Sequence, residues 1–528
     1  MKTTLIRGGR LIDGTGNTWK YGDVLLQGDT IMQVGVVSEE NVDQIINAEG
    51  MVVSPGFIDI HTHSDIPLLV DGRANSHIRQ GVTTNAIGNC GNSAFPLTDE
   101  MVEILGGKYG GIDTNWRSLT DYLGLLELQG VSVNVVPFVG HGTIRTQVMG
   151  YRDAAPTPAE LTAMGTVLAK AMEQGAFGLT TGLTYVPGIY AETAEIIELA
   201  KVVAHYGGIY ASHIRGENDT LIAAVEEAIE IGRQAQLPVQ IAHFKAMGRH
   251  MWGKSVETLR MVDDARSEGI EVTCDQYPYN ASATGLGSYL PGWAHIGGKD
   301  EFLKRLADPD LRLRLKTEIV DSTPDWASFY KGVGWENTYV NQCKRTEWQG
   351  LSVSQIAAQE GKDDFDMAFD LLIENEGNVP VVYFTIGDED IERIMRHPAV
   401  MVGSDSSAIS AEGPLFKGRP HPRSSGTFVR VLGHYVREKK VLPLEEAIRK
   451  MTSAPAQKLG LTDRGLLRPG FKADIVVFNP GTIGDASTYA DPFQYATGIE
   501  HVFVNGAHTI MCGEHMGAKA GQVLKHSK

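Results

Sequence analysis

The chain has no apolar run approaching the roughly 18 consecutive residues that a membrane-spanning helix needs. Its start, Met1-Lys2-Thr3-Thr4-Leu5-Ile6-Arg7-Gly8-Gly9, lacks the apolar core of a secretory signal, which points to a cytoplasmic protein. Cysteine is scarce. The four present (Cys90, Cys274, Cys343 and Cys512) form no close pairs, which argues against a disulfide framework and for reduced thiols. An excess of basic charge is also missing: the net charge of -17 argues against nucleic acid or an anionic membrane as the main partner. No low-complexity tract and no Gly-x-Gly-x-x-Gly turn is found, which weakens a dinucleotide-binding fold. What remains is a chain of 528 residues with 42% hydrophobic content, enough for a large core and more than one domain.

Residues 1–55 alternate short apolar stretches with turns, as in Thr4-Leu5-Ile6-Arg7 and Asp23-Val24-Leu25-Leu26. Residues 461–528 do the same, as in Asp474-Ile475-Val476-Val477-Phe478. Neither end has strands enough alone, so the expectation is one small β-sandwich built from both. Between them, residues 56–460 alternate strands with helices, beginning at Phe57–His63 and Val82–Cys90 and ending at Ala399–Asp405. Eight such strands favour an α/β fold of the (β/α)8, TIM-barrel-like kind. Residues 282–345 fit no βα unit and read as an inserted lid.

In such a barrel the active site lies at the C-terminal ends of the strands. His61 and His63 stand two residues apart at the end of the first strand, so they share a face. The other strand ends carry Cys90, His141, His213, His243 and Asp405. A single histidine there is more often a satisfied polar residue than a ligand, a lone buried cysteine is usually inert, and a lone aspartate is usually a cap. Their coincidence on one rim favours a zinc site.

These motifs carry a resemblance. Ser54-Pro55-Gly56-Phe57-Ile58-Asp59-Ile60-His61-Thr62-His63 resembles the first-strand signature of the amidohydrolase superfamily, and Gly465-Leu466-Leu467-Arg468-Pro469-Gly470-Phe471-Lys472-Ala473-Asp474-Ile475 resembles its return to the sandwich. Gly88-Asn89-Cys90-Gly91, Ala211-Ser212-His213-Ile214-Arg215, Ile241-Ala242-His243-Phe244-Lys245 and His421-Pro422-Arg423-Ser424-Ser425-Gly426-Thr427-Phe428 resemble the N-acyl-D-amino-acid deacylases. Many amidohydrolases bridge two metals with a lysine on the fourth strand. Thr180-Thr181-Gly182-Leu183-Thr184-Tyr185 has none, and Cys90 matches the cysteine that replaces it in the deacylases.

The resemblance implies one zinc tightly bound by Cys90, His213 and His243, and a second, weaker position at His61 and His63 with Cys90 as a bridge. It implies hydrolysis of an N-acyl-D-amino acid, or of a dipeptide ending in a D-residue, by attack of metal-bound hydroxide. Asp405 would carry the proton from water to the departing amine. It also implies that Lys245, Arg423 and Tyr277 hold the substrate's carboxylate, with Tyr185 as a further contact. The partner is then a small molecule. Asp405 is followed by Ser406-Ser407-Ala408, where relatives often have glycine, which bears on the substrate and not on hydrolysis. The alternatives are a ring-opening hydrolase of hydantoin- or dihydroorotate-like amides, disfavoured by the absent lysine, and a non-catalytic scaffold of the same fold.

Overall fold

The structure is a computed structural model that describes residues 2–526, except 41, 100, 103, 104, 106–111, 113, 322–325 and 327. Its first strand, Thr3–Leu11, bends at Gly8-Gly9, where the register against Lys20–Gln27 shifts. Gly8 has φ +73°, and a Cβ on Gly9 would come 2.5 Å from Val53 Cγ2, so the kink needs both glycines. The bend splits the strand's pairing. Its first half pairs with Gln44–Asn47 and its second with Val52–Pro55. Val52–Pro55 then pairs antiparallel with Ile475–Phe478, which is joined to Ile499–Val504 and Ala507–Met511. Both chain ends therefore meet in one nine-stranded sheet.

Alternation along these strands serves two cores. Val53, Ile475, Val477 and Phe503 join an outer cluster with Ile6, Leu11, Val24 and Leu26. Their neighbours Val52, Val476, Phe478, Val502 and Val504 join the main cluster with Phe57 and Phe428. A period of two is what places one sheet between two apolar layers.

The central region contains parallel strands in sequence order. Phe57–Asp59, Val82–Ile87 and Asn134–Pro137 form a three-stranded sheet. Val139–Gly140, Gly178–Gly182, Ile209–His213, Val239–Ile241, Val272–Gln276 and Val400–Val402 form a six-stranded one. The two sheets touch at both edges. Only Phe138 separates Asn134–Pro137 from Val139–Gly140. At the other edge Thr62 bridges Ser406 in parallel, Asp405 N donates to His61 O at 2.8 Å, and His63 N donates to Ser406 O at 2.8 Å.

Helices between the strands follow local rules. Pro158–Glu173 starts at Thr157, whose hydroxyl accepts from Glu160 N while Glu160 Oε2 accepts from Thr157 N at 2.8 Å. Pro158 occupies the first turn, where its missing N–H costs nothing. The face with Met164, Leu168 and Met172 is buried, as the spacing of three and four requires.

The inserted segment is larger and more regular than expected. Ala281–Gly285 and Thr338–Val340 pair antiparallel with Pro380–Phe384, so the unit runs to residue 384 rather than 345. It has its own core, which includes Leu286, Tyr289, Trp335, Phe369 and Tyr383. Residues 322–325 and 327 of the expected lid lie outside the described residues. Among the described residues no helix is long and apolar enough to cross a membrane.

Candidate metal centre

The first strand delivers two imidazoles whose ring centroids are 5.4 Å apart. His61 is buried, with Nε2 3.3 Å from Cys90 Sγ and 3.5 Å from Asp405 Oδ1. His63, nearer the rim, places Nε2 3.0 Å from the same Asp405 oxygen. Cys90 arrives through a tight turn in which Gly88, Cys90 and Gly91 have φ of 81°, 52° and 77°. A Cβ on Gly88 would collide with the Phe138 carbonyl, and one on Gly91 would lie 2.7 Å from Gly182 N. The two glycines of Gly-Asn-Cys-Gly are thus required by the backbone, while Cys90 holds a left-handed conformation despite its side chain. His243 and Asp405 are left-handed as well, with φ of 35° and 50°. Such conformations cost a non-glycine residue about 1–3 kcal/mol and gather at functional sites.

Two sets of donor atoms result, each with its atoms within 4.8 Å of one another: His61, His63, Cys90 and Asp405 in one, and Cys90, His213 and His243 in the other. The Cys90 sulfur belongs to both. His243 turns Nε2 toward it at 3.5 Å. His213, at the end of Ile209–His213, is buried with no hydrogen-bond partner on either ring nitrogen. A buried imidazole left unbonded is costly, and a cation among these three residues would engage one of its two nitrogens. Two nitrogens and a thiolate are donors that zinc accepts, with its fourth position open to water or substrate. Burial opposes ionising the Cys90 thiol, but the charges of His61 and His243 outweigh it and hold the thiol well below its ordinary value.

The cationic and hydroxyl groups expected to meet the substrate border the same cluster. Arg423 Nη1 makes a 2.8 Å ion contact with Asp405 Oδ2, and its guanidinium stands 4.7 Å over the Tyr277 ring. Burial would raise the Asp405 carboxyl, yet Arg423 and the neighbouring histidines hold it well below the usual range. Lys245 Nζ lies 5.7 Å from the centroid of the same ring. The Tyr185 ring is 4.5 Å from that of His213. The insertion reaches both tyrosines: Tyr277 and Ser282 share a 2.7 Å hydrogen bond, and Thr284 Oγ1 donates to Tyr185 Oη at 3.3 Å.

One strand-end residue is not brought in. His141 opens the helix His141–Met149 and pairs through Nε2 with Glu195 Oε1 at 2.7 Å, beside Arg145. It joins neither donor set among the described residues. Two carboxylates absent from the sequence reading take supporting places. Asp275 Oδ1 faces His61 Nδ1 at 3.2 Å and accepts from His243 N at 2.8 Å, while Gln240 Nε2 donates to its Oδ2 at 2.8 Å. Glu217 Oε1 lies 2.9 Å from His243 Nδ1 and pairs with Lys245. For Asp275 a signal was available, its place near the C-terminal end of the strand Val272–Gln276.

Residues 44–510 match the family described as the amidohydrolase family. The chain belongs to that family. It is 36% identical to a D-aminoacylase of Alcaligenes xylosoxydans xylosoxydans, over 98% of this amidohydrolase and 97% of that protein. It is also 36% identical to an N-acyl-D-glutamate deacylase of the same organism, over 95% and 92% of the two chains. A solved structure of N-acyl-D-glutamate deacylase from Bordetella bronchiseptica, complexed with zinc and a phosphonate mimic of the tetrahedral intermediate, superposes with a TM-score of 0.83. The two are 34% identical and the match covers 100% of each chain. The amidohydrolase therefore contains a TIM-barrel-like domain, with the donor sets at the C-terminal ends of its strands.

Proposed function

We propose that this amidohydrolase hydrolyses N-acyl-D-amino acids, or dipeptides ending in a D-residue, to a carboxylate and a free D-amino acid. The observation that carries this reading is the Cys90–His213–His243 triangle beside Asp405, in a chain 36% identical to a D-aminoacylase almost end to end. Cys90, His213 and His243 would hold the tight zinc, and His61 and His63 would line a second position that shares Cys90. Bound zinc supplies Lewis acidity toward the scissile carbonyl and lowers the pKa of water to about 7.

The chain's own residues supply the rest. Asp405 Oδ1, facing His61 and His63 across 3.5 and 3.0 Å, takes the proton of the attacking water and passes it to the amine nitrogen as the C–N bond breaks. An unprotonated amine leaves a tetrahedral intermediate poorly, so this transfer is required. Arg423 and Lys245, both close to the Tyr277 ring, hold the substrate's α-carboxylate, and Tyr185 borders the acyl carbon. The insertion covers the pocket as a lid, supported by its hydrogen bonds to Tyr185 and Tyr277. With Asn134–Pro137 and Val139–Gly140 counted as one strand interrupted at Phe138, the two parallel sheets close into an eight-stranded barrel through the hydrogen bonds at their edges, and the nine-stranded sheet folds as a sandwich. Free cysteines suit a cytoplasmic setting. The end-to-end relatives are named for linear amides, so a ring-opening activity is set aside.

A ninhydrin assay across N-acetyl-D- and N-acetyl-L-amino acids tests the reading. Amine should be released from members of the D series. Release from none of them would overturn it.

A further inference from the structure

We propose that Glu217 is a positioning residue that serves two sites at once, orienting His243 toward the metal and holding the Lys245 ammonium for the substrate's carboxylate. The role given to Lys245 rests on the function proposed above. The role given to His243 rests on geometry alone.

Glu217 is buried, and its Oε1 is approached by His243 Nδ1 at 2.9 Å and by Lys245 Nζ. If His243 Nε2, which stands beside Cys90 Sγ at 3.5 Å, is kept free to hold the metal, the ring's proton belongs on Nδ1, where only an acceptor can meet it. Lys245 cannot be that acceptor. Its Nζ lies 2.9 Å from His243 Nδ1, but an ammonium has donors only. An imidazole N–H and an ammonium thus face one another donor to donor, and the shared carboxylate of Glu217 is what makes the approach favourable. Lys245 Nζ also donates to His243 O at 2.9 Å. This leaves one of its three N–H bonds for a ligand. A carboxylate behind a metal-binding imidazole fixes its tautomer and orientation.

The loop carrying Glu217 is built to hold it still. Arg215 grips Glu227 with two hydrogen bonds of 2.7 and 2.9 Å and donates to Ala191 O at 2.9 Å. On the other side, Met247 N donates to Glu217 O at 2.7 Å, tying this loop to the one that carries His243 and Lys245. Asn218 Nδ2 donates to Ser328 O at 3.2 Å, which ties it to the insertion. Glu217 therefore enters a preset position and is not drawn there by its partners.

Zinc affinity, read by chelator competition without substrate, and KM for an N-acetyl-D-amino acid separate the two roles. Glu217→Ala should weaken zinc binding about 10–100-fold and raise KM. Glu217→Gln keeps an acceptor for Nδ1–H but no charge for the ammonium, so it should recover most of the zinc affinity while KM stays high. Lys245→Met should raise KM and leave zinc binding unchanged. A purely structural glutamate would give no such split. Wild-type zinc affinity in Glu217→Ala, or identical effects of the Ala and Gln variants on both readouts, would overturn the proposal. If Glu217→Ala does not fold around its lone ammonium, the charge-balanced pair Glu217→Ala with Lys245→Met takes its place, and wild-type zinc affinity there has the same force. Graded zinc binding in a chain that releases no amine would sink the deacylase reading and leave the role of Glu217 at the metal intact.

Discussion

The Cys90 sulfur is the atom on which both donor sets depend, being 3.3 Å from His61 Nε2 and 3.5 Å from His243 Nε2. Removing it leaves His213 and His243 as the remaining pair of the tight set, and two imidazoles do not make a structural zinc site. Cys90→Ala should therefore lose stoichiometric zinc in elemental analysis after desalting, whereas His63→Ala should keep it. Zinc retained by Cys90→Ala would place the metal elsewhere. His141 is the counter-case. His141→Asn should leave zinc content unchanged but cost about 1–3 kcal/mol in thermal unfolding, because Glu195 stays buried with less compensation. At this scale the residues that the fold gathers into the two donor sets were legible, since imidazole and thiol are distinctive at strand ends. His141 was misplaced because a strand end says where a residue is, not what lies across from it. Glu217 was missed because a loop carboxylate has no signature until the fold brings it alongside His243, whereas Asp275 had its strand-end place as a signal.

Elements bring those residues together through their ends. The strands themselves are short, as in Val239–Ile241 and Val400–Val402, and the reactive groups lie just past them in residues such as His243 and Asp405, whose φ is positive. The strands were legible from apolar runs closed by glycine, histidine or aspartate. The insertion was read at 282–345, but its sheet was not: Thr338–Val340 is only three residues long and pairs with Pro380–Phe384 some forty positions later, a contact that no local period announces. Helix starts are clearer. Thr157→Ala should remove about 1 kcal/mol of stability through the loss of the cap, with no change in activity, as thermal melting and the amine assay would show. An activity loss without a stability loss would mean that the helix Pro158–Glu173 contacts the site in a way its buried face does not suggest.

For the molecule as a whole, stability is distributed over several apolar clusters, among them the two on either side of the nine-stranded sheet and the insertion's own, and some buried charge is carried at a cost. Lys458 donates to Val239 O at 2.9 Å, and burial lowers its pKa to about 8 from 10.5. The folded chain then binds fewer protons than the unfolded one between those values, so this group's penalty is complete below the lower value and is relieved as pH rises toward the upper one. Wild type should gain on Lys458→Met by up to about 1.4 kcal/mol per pH unit within that window, and parallel stability curves would contradict the assignment. The turn-rich ends on either side of the βα alternation led to the expectation of one β-structure built from both, and Val52–Pro55 does pair with Ile475–Phe478 in one sheet. The proposed chemistry joins all three scales, and a zinc titration tests it most directly. Metal-stripped chain would receive zinc in increments while amine release from N-acetyl-D-amino acids is followed beside the L series. Release should rise with the first equivalent and be confined to the D series. No release from any D substrate at stoichiometric zinc, or equal release from the L series, would contradict a zinc-dependent deacylase of N-acyl-D-amino acids.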